Sequence, residues 1–307
     1  RYCWLRDAAF VVRALNRLGA TRTMEEYIRY IFNLVTRDDP VLQPVYGIAF
    51  EKELAEETVE SLAGYRGMGP VRRGNLAWLQ KQHDVYGSVV LASAQLFFDR
   101  RLHHRGDVAM FERLEPLGDQ AFALYDQPDA GLWEFRGIAN VHTYSAVMCW
   151  AACDRLARIA RRFGLDDRAA HWRGRATEIR ERVLEETWNA ERGHFADAFG
   201  GERLDASLLL LADLGFVKPD DPRFVATVEA IGRDLKRGHG LFRYIAPDDF
   251  GTPETSFTIC TFWYIDALVS IGRRDEAREM FGHVMARRNH LGLLSEDLAI
   301  DTGELWG

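Results

Sequence analysis

The stretch HTYSAVMCWAACDRLARI, residues 142–159, is apolar or aromatic around most of its circumference, and DDRAAHWRGRATEIRERVLEET, residues 166–187, is amphipathic with one charged face. A helix that is apolar all round is buried on every side, whereas a helix with one charged face lies at the surface and covers a neighbour. The same alternation runs outward from this pair in both directions. Segments of the first type are Asp7–Leu18, Trp78–Phe98, Asp205–Leu214 and Thr255–Ile271. Those of the second are Thr23–Thr36, Met110–Leu124, Asp221–Leu235 and Asp275–Ala286. Five buried-then-amphipathic pairs predict an all-α chain in two shells, an inner ring of buried helices inside an outer ring. That is an α/α barrel, or toroid.

The pairs are spaced too irregularly for a fixed-period solenoid. The long insertions, around residues 43–75, 128–140, 240–254 and 289–307, are rich in glycine, proline and aromatic residues, and each precedes an inner helix. They are therefore expected on one face of the barrel, where loops carry function. Residues distant in sequence, Arg6 and Asp7 at an inner-helix start among them, are expected to converge there on one pocket.

At 307 residues, 47% apolar and 28% charged, the chain can bury a large core. Its 39 basic against 46 acidic residues give a formal charge of −7. No cationic field exists to gather nucleic acid or anionic lipid, which argues against both as partners. No uncharged apolar run reaches the ~18 residues of a membrane-spanning helix. Cys3, Cys149, Cys153 and Cys260 form no Cys-x-x-Cys pair and read as small buried residues of a reducing, cytoplasmic compartment, not as a disulfide scaffold or zinc ribbon. The Gly-rich stretch Gly64-Tyr-Arg-Gly-Met-Gly-Pro70 lacks the Lys-Ser/Thr ending of a phosphate loop. No Gly-x-Ser-x-Gly elbow occurs. His103 and His104 are adjacent, and His142, His171 and His239 have no partner at ligand spacing, so neither a metal nor a cofactor is expected.

Two carboxylates lie in loop-like, partly aromatic surroundings instead of on a charged helix face. Glu134 stands in Gly131-Leu-Trp-Glu-Phe-Arg136 and Glu296 in Gly292-Leu-Leu-Ser-Glu-Asp297. Flanked by Trp133 and Phe135, Glu134 would lose solvation, which raises its pKa and suits a general acid. Glu296, between Ser295 and Asp297, would stay ionised and suit a base. Paired carboxyls of this kind are the machinery of glycoside hydrolysis. The same loops supply aromatic platforms, Trp4, Tyr46, Trp133 and Trp263, with the donor forks Arg6, Arg72, Arg73 and Arg243, as a sugar site requires. Trp78 and Trp150 lie deeper in predicted helices and read as core.

Several motifs occur in one order. Arg1-Tyr-Cys-Trp-Leu-Arg-Asp-Ala8 contains Trp-x-Arg-Asp, and is followed by Gly64-Tyr-Arg-Gly67, Gly69-Pro-Val-Arg-Arg-Gly-Asn75 and His83-Asp-Val-Tyr-Gly87. Then come Asp129-Ala-Gly-Leu-Trp-Glu-Phe-Arg136, Leu204-Asp-Ala-Ser-Leu208, Phe242-Arg-Tyr244, Phe262-Trp263 and the Glu296 segment. In these motifs the chain resembles, over essentially its whole length, the family 15 glycoside hydrolases, the glucoamylases and their bacterial trehalase-like relatives. The resemblance implies an (α/α)6 barrel and an inverting, exo-acting α-glucosidase that releases β-glucose from non-reducing ends. It makes Glu134 the acid and Glu296 the base, about 6.5–9.5 Å apart with room for the attacking water. Arg6, Asp7 and Arg243 match residues that bind the terminal glucose, and Trp4, Trp133 and Trp263 match pocket walls. The implied partner is a small α-glucoside such as trehalose or a malto-oligosaccharide.

Other readings stay open for the supporting residues. Asp7 and Asp205 each start an inner helix and could be N-caps. Arg72 and Arg73 could pair with loop carboxylates; of the two, Arg72 is taken as a site residue. Asp84 and Asp154 lie within inner helices, where a charge requires a partner, so a structural ion pair is expected for each. His142 could hydrogen-bond a site residue or cap its helix. The chain opens at Arg1 without Met and ends just after Gly-Glu-Leu-Trp, and is expected to be one segment of a longer protein, with a β-sandwich before it and the last helix pair after it. Two rival functions are a disaccharide phosphorylase, which would not need the Glu296 base, and a catalytically silent sugar-binding or regulatory domain.

Overall fold

The computed structural model describes residues 1–34, 40–248 and 251–306. Among them ten α-helices dominate: α1 (Leu5–Leu18), α2 (Thr21–Leu34), α3 (Asp84–Phe98), α4 (Val108–Leu124), α5 (Thr143–Arg162), α6 (Asp166–Thr187), α7 (Leu210–Asp213), α8 (Pro222–Asp234), α9 (Thr258–Ser270) and α10 (Arg274–Ala286). Strands are two or three residues long and sit in the connections. β1 (Tyr2–Trp4) pairs with β2 (Val45–Gly47), β3 (Glu57–Thr58) with β4 (Arg72–Arg73), and β5 (Trp188–Asn189) with β6 (His194–Phe195). Likewise β7 (Lys236–Arg237) pairs with β8 (Gly240–Leu241), and β9 (Ser256–Phe257) with β10 (Asp297–Leu298), which also pairs with β11 (Leu305–Trp306). The chain is all-α, as its periodicity predicts. Residues 35–36 of the predicted second helix, 249–250 of the third long loop and the last residue, 307, lie outside the described residues.

Contacts divide the chain into two compact units, residues 1–134 with 148–179, and residues 135–147 with 180–307. In the first unit α3 is buried on nearly every side, and its small residues let neighbours come close. A β-carbon at Gly87 would collide with the carbonyl of Met148, so α3 and α5 meet backbone to backbone. Gly118 of α4 faces Leu156 and Trp172 just as tightly. Trp150 is core, as expected. The buried Asp154 is held by Arg155 at 2.6 Å, Arg158 at 2.8 Å and Arg173 at 2.6 Å, the ion-pair role read from sequence. Asp107 caps α4 by accepting from the Met110 amide at 2.8 Å.

In the second unit α9 buries Cys260, Trp263, Tyr264 and Leu268, and the amphipathic α8 turns Phe224, Val228 and Ile231 inward. Phe195 of β6 donates its amide to Thr227 Oγ1 on α8 at 3.0 Å, which fastens the β5–β6 hairpin to that helix.

Three expectations change. Helix α1 is not buried all round, because Asp7, Val11, Ala14 and Leu18 recur at helical spacing and form one exposed face, with Val11 56% and Leu18 82% accessible. The predicted helix Trp78–Phe98 begins only at Asp84. Asn75 caps a short 3-10 turn, Leu76–Leu79, by accepting from the Ala77 amide at 2.9 Å. Residues 80–83 then lie outside any helix: Lys81 O accepts from the Ala130 amide at 2.9 Å, and the His83 amide donates to Asp129 Oδ2 at 2.8 Å. Trp78 consequently lies in this 3-10 turn, outside α3, and packs, half-buried, against Val45, Leu54 and Ala77. The predicted helix Asp205–Leu214 splits into a 3-10 turn, Ala206–Leu209, and the short α7, with Asp205 as N-cap through the Ser207 amide at 2.7 Å.

Candidate active site

In the first unit the start of α1, the strap before α3 and the loop at residues 129–134 meet around one guanidinium. Arg6, 7% exposed, donates through Nη1 to Gln82 Oε1 at 2.8 Å and Asp84 Oδ2 at 3.3 Å, and through Nη2 to Glu134 Oε1 at 3.2 Å. Gln82 Nε2 donates to Gln80 Oε1 at 2.9 Å, and Gln80 Nε2 donates to the backbone carbonyl of Glu134 at 3.0 Å. The circuit Gln80–Gln82–Arg6–Glu134 thus fixes both the side chain and the backbone of the glutamate. Glu134 has φ 62°, in the left-handed region that a β-carbon disfavours. Its amide donates to Gly131 O at 3.2 Å, closing a turn that ends at this residue. Strain held in place by surrounding bonds is characteristic of functional positions.

Burial pushes the Glu134 carboxyl up to about 7; Arg6 opposes the shift, while the negative charges of Asp7 and Asp84 add to it. With its side chain still 30% exposed, Glu134 can meet a ligand and offer it a proton at neutral pH. Asp84 is fully buried; burial raises its pKa and Arg6 opposes this. It is the ion-pair residue anticipated for α3, and its partner is a second candidate residue.

The remaining first-unit candidates surround this cluster at varying depth. Trp4 closes β1, half-buried against Val45, Leu54 and Ala77. Tyr46 lies opposite Cys3 in the β1–β2 pair, is 2% exposed, and accepts from the Gln43 amide at 2.9 Å. Asp7 is exposed in the first turn of α1, where Trp4 occupies the N-cap. Trp133 is half-buried beside Glu134. Arg72 and Arg73 on β4 pair with Glu56 at 3.0 Å and Glu57 at 2.6 Å, the loop-carboxylate pairing left open by the sequence.

In the second unit Arg243 donates through Nη2 to Asp248 Oδ2 at 3.2 Å, and Tyr244 OH donates to the same oxygen at 2.6 Å. Its guanidinium lies 5.8 Å from the Phe257 ring, directly before α9. Glu296 leads into β10 with its side chain exposed, and its carbonyl accepts from the Thr258 amide, the first of α9, at 2.8 Å. Asp297 Oδ1 accepts from Thr255 Oγ1 at 2.8 Å, and Ser295 Oγ donates to Asp297 O at 2.6 Å, so polar bonds hold the residues on either side of the base candidate. Trp263, on the same helix, is 7% exposed. This unit also holds a cavity of about 600 Å³ lined by Phe135, His142, Asp197, Arg203 and Tyr244 among others. Phe135 stacks on His142 at 5.8 Å and leans on Tyr244 at 5.5 Å. Burial, then Arg203, pushes His142 down to about 4, and its Nε2 is buried without a hydrogen-bond partner. A neutral imidazole among aromatic and charged walls suits a polyhydroxylated ligand.

Sequence reading passed over Gln80 and Gln82, which carry no signal beyond being polar residues before an apolar run. It also left His239 without a metal-ligand partner, whereas the fold brings Glu279 and His283 to it, with donor atoms within 4.8 Å of one another.

The chain is similar to known proteins in sequence and in fold. Over the full chain the protein is 34% identical to a trehalase of Thermoplasma volcanium, covering 49% of it, and 35% identical to a trehalase of Mycobacterium tuberculosis, covering 45% of it. The chain spans about half the length of the curated relatives it matches. The glucoamylase of Saccharomycopsis fibuligera superimposes with a TM-score of 0.73 at 14% identity, covering 100% of this chain and 82% of the glucoamylase. That likeness assigns the (α/α)6 fold class that the family resemblance implies. The family model for Glycosyl hydrolases family 15 matches residues 1–307, the segments bearing Arg6, Glu134 and Glu296 included, and the chain belongs to that family.

Proposed function

We propose that the chain is the catalytic domain of an O-glycoside hydrolase that cleaves a small α-glucoside with inversion and releases β-glucose from its non-reducing end. The observation that carries this reading is Glu134, a strained, Arg6-bound carboxyl with a pKa of about 7. Such a group holds its proton at neutrality and can pass it to the glycosidic oxygen as the bond to the anomeric carbon breaks. Glu296 is the base: it takes a proton from the water that attacks the opposite face of that carbon. Exchange with solvent returns a proton to Glu134 and removes one from Glu296. Arg6, Asp7 and Arg243 bind hydroxyls of the terminal glucose, and Trp4, Trp133 and Trp263 wall the pocket. Trehalose is the favoured substrate, supported by the trehalases among the relatives at 34 and 35% identity.

Proton NMR of the full-length protein with trehalose, maltose and isomaltose, read before mutarotation, tests the proposal. Newly formed β-glucose is the expected product. α-Glucose alone would overturn the acid and base roles, glucose 1-phosphate formed with added phosphate would identify a phosphorylase, and binding without product a silent domain. Glu134→Gln and Glu296→Gln should each lower turnover by about 10²–10⁴-fold while the sugar still binds, the range lost with a general acid or base.

A further inference from the structure

We propose that His239, Glu279 and His283 form a binding site for one divalent transition-metal ion of the zinc class, outside the glycosidic machinery. His239 sits in the two-residue turn between β7 and β8, and Glu279 and His283 are four residues apart on α10, hence on one face of that helix. The three donor atoms lie within 4.8 Å of one another. The imidazoles stack with centroids 3.4 Å apart and planes 11° from parallel.

Both sides of the site are fixed by bonds other than its own. Lys236 Nζ reaches Glu276 Oε1 at 3.3 Å and ties the hairpin to α10 one turn before Glu279. The Leu241 amide donates to Thr261 Oγ1 on α9 at 3.0 Å, and the Phe242 amide to Leu235 O at 3.0 Å. The turn that carries His239 is thereby held facing the helix. Tetrahedral ligands at bonds of about 2.0–2.1 Å stand about 3.4 Å apart. Face-to-face imidazoles aim their in-plane lone pairs in parallel, so the two rings must turn out of their stack for both to reach one ion, a rotamer change open to exposed side chains.

Two imidazoles and one carboxylate form a donor set for zinc and its neighbours, with water completing the shell. Calcium and magnesium demand six or more oxygens and find one carboxylate here. Bound metal would clip the β7–β8 hairpin to α10 and stabilise that contact by mass action.

The test is isothermal titration of the chelator-stripped full-length protein with zinc chloride, paired with the visible spectrum of its cobalt(II) form. One equivalent per chain at micromolar affinity is expected, with the d–d bands of a four- or five-coordinate cobalt complex. His239→Ala or His283→Ala should each weaken zinc binding by at least about 100-fold, more than loss of an outer-shell partner costs. Neither substitution should change turnover, since neither residue belongs to the glucoside site, and unchanged turnover shows that each variant is folded. Absence of a stoichiometric site in the wild type, or the same affinity in wild type and in the double variant His239→Ala/His283→Ala, would overturn the assignment.

Discussion

Glu134 joins three things that rarely coincide in one residue: a left-handed backbone, a guanidinium contact at 3.2 Å and a carboxyl titrating near 7. The titration gives the proposed acid a pH signature. Turnover should fall above about pH 7 as Glu134 loses its proton. Arg6 opposes the upward shift, so Arg6→Gln should move the alkaline limb of the kcat profile to higher pH, although sugar binding weakens as well. A limb that stays in place would detach Glu134 from the chemistry. Stability carries the same information with a defined sign. A carboxyl whose folded pKa is raised costs nothing below its unfolded value near 4.5; the penalty builds between there and about 7 and is complete above. Glu134→Gln should therefore raise the melting temperature above pH 7 by the equivalent of roughly 1–3 kcal/mol, and the gain should vanish near pH 4.

At the scale of elements, the helices legible in the sequence were those whose neighbours are dictated by their own surface. α5 and α6 follow directly from a run apolar all round and a run with one charged face, and Asp154 announced its ion pairs by being a charge in an apolar helix. Where a helix ends depends on distant partners. Residues 80–83 break away before α3 because Ala130 and Asp129 bind their backbone, and neither is visible from residue 80. The candidate site behaves alike: the raised carboxyl of Glu134 follows from its aromatic flanks and the ion pair of Asp84 from its place in an apolar helix, but that one arginine serves both requires the fold. Contacts between elements differ in cost. Gly87→Ala drives a methyl group into the Met148 carbonyl on a rigid helix and should destabilise by about 3 kcal/mol, the upper end of overpacking. Asp107→Ala removes one cap at an exposed helix start and should cost about 1 kcal/mol. Urea denaturation of both variants compares the two directly; equal losses would mean that α3 and α5 can separate cheaply.

For the molecule as a whole, charge and substrate chemistry constrain each other. A formal charge of −7 spreads a weak negative field that concentrates no anion. The proposed trehalose-like substrate is neutral, so neither attraction nor repulsion would act on its approach, and specificity would have to come from short-range contacts. Salt then becomes a discriminating variable. Raising ionic strength from about 0.01 M to about 0.15 M shortens the screening length from about 30 Å to about 8 Å and suppresses any long-range steering. For a neutral glucoside kcat/KM should stay within about twofold over that range, because there is no steering to remove. An anionic glucoside, by contrast, would be repelled at low salt and used better as salt rises. A strong fall of kcat/KM with salt on the preferred substrate would instead reveal attraction of an anion by a local basic surface, and would move the substrate class away from neutral disaccharides.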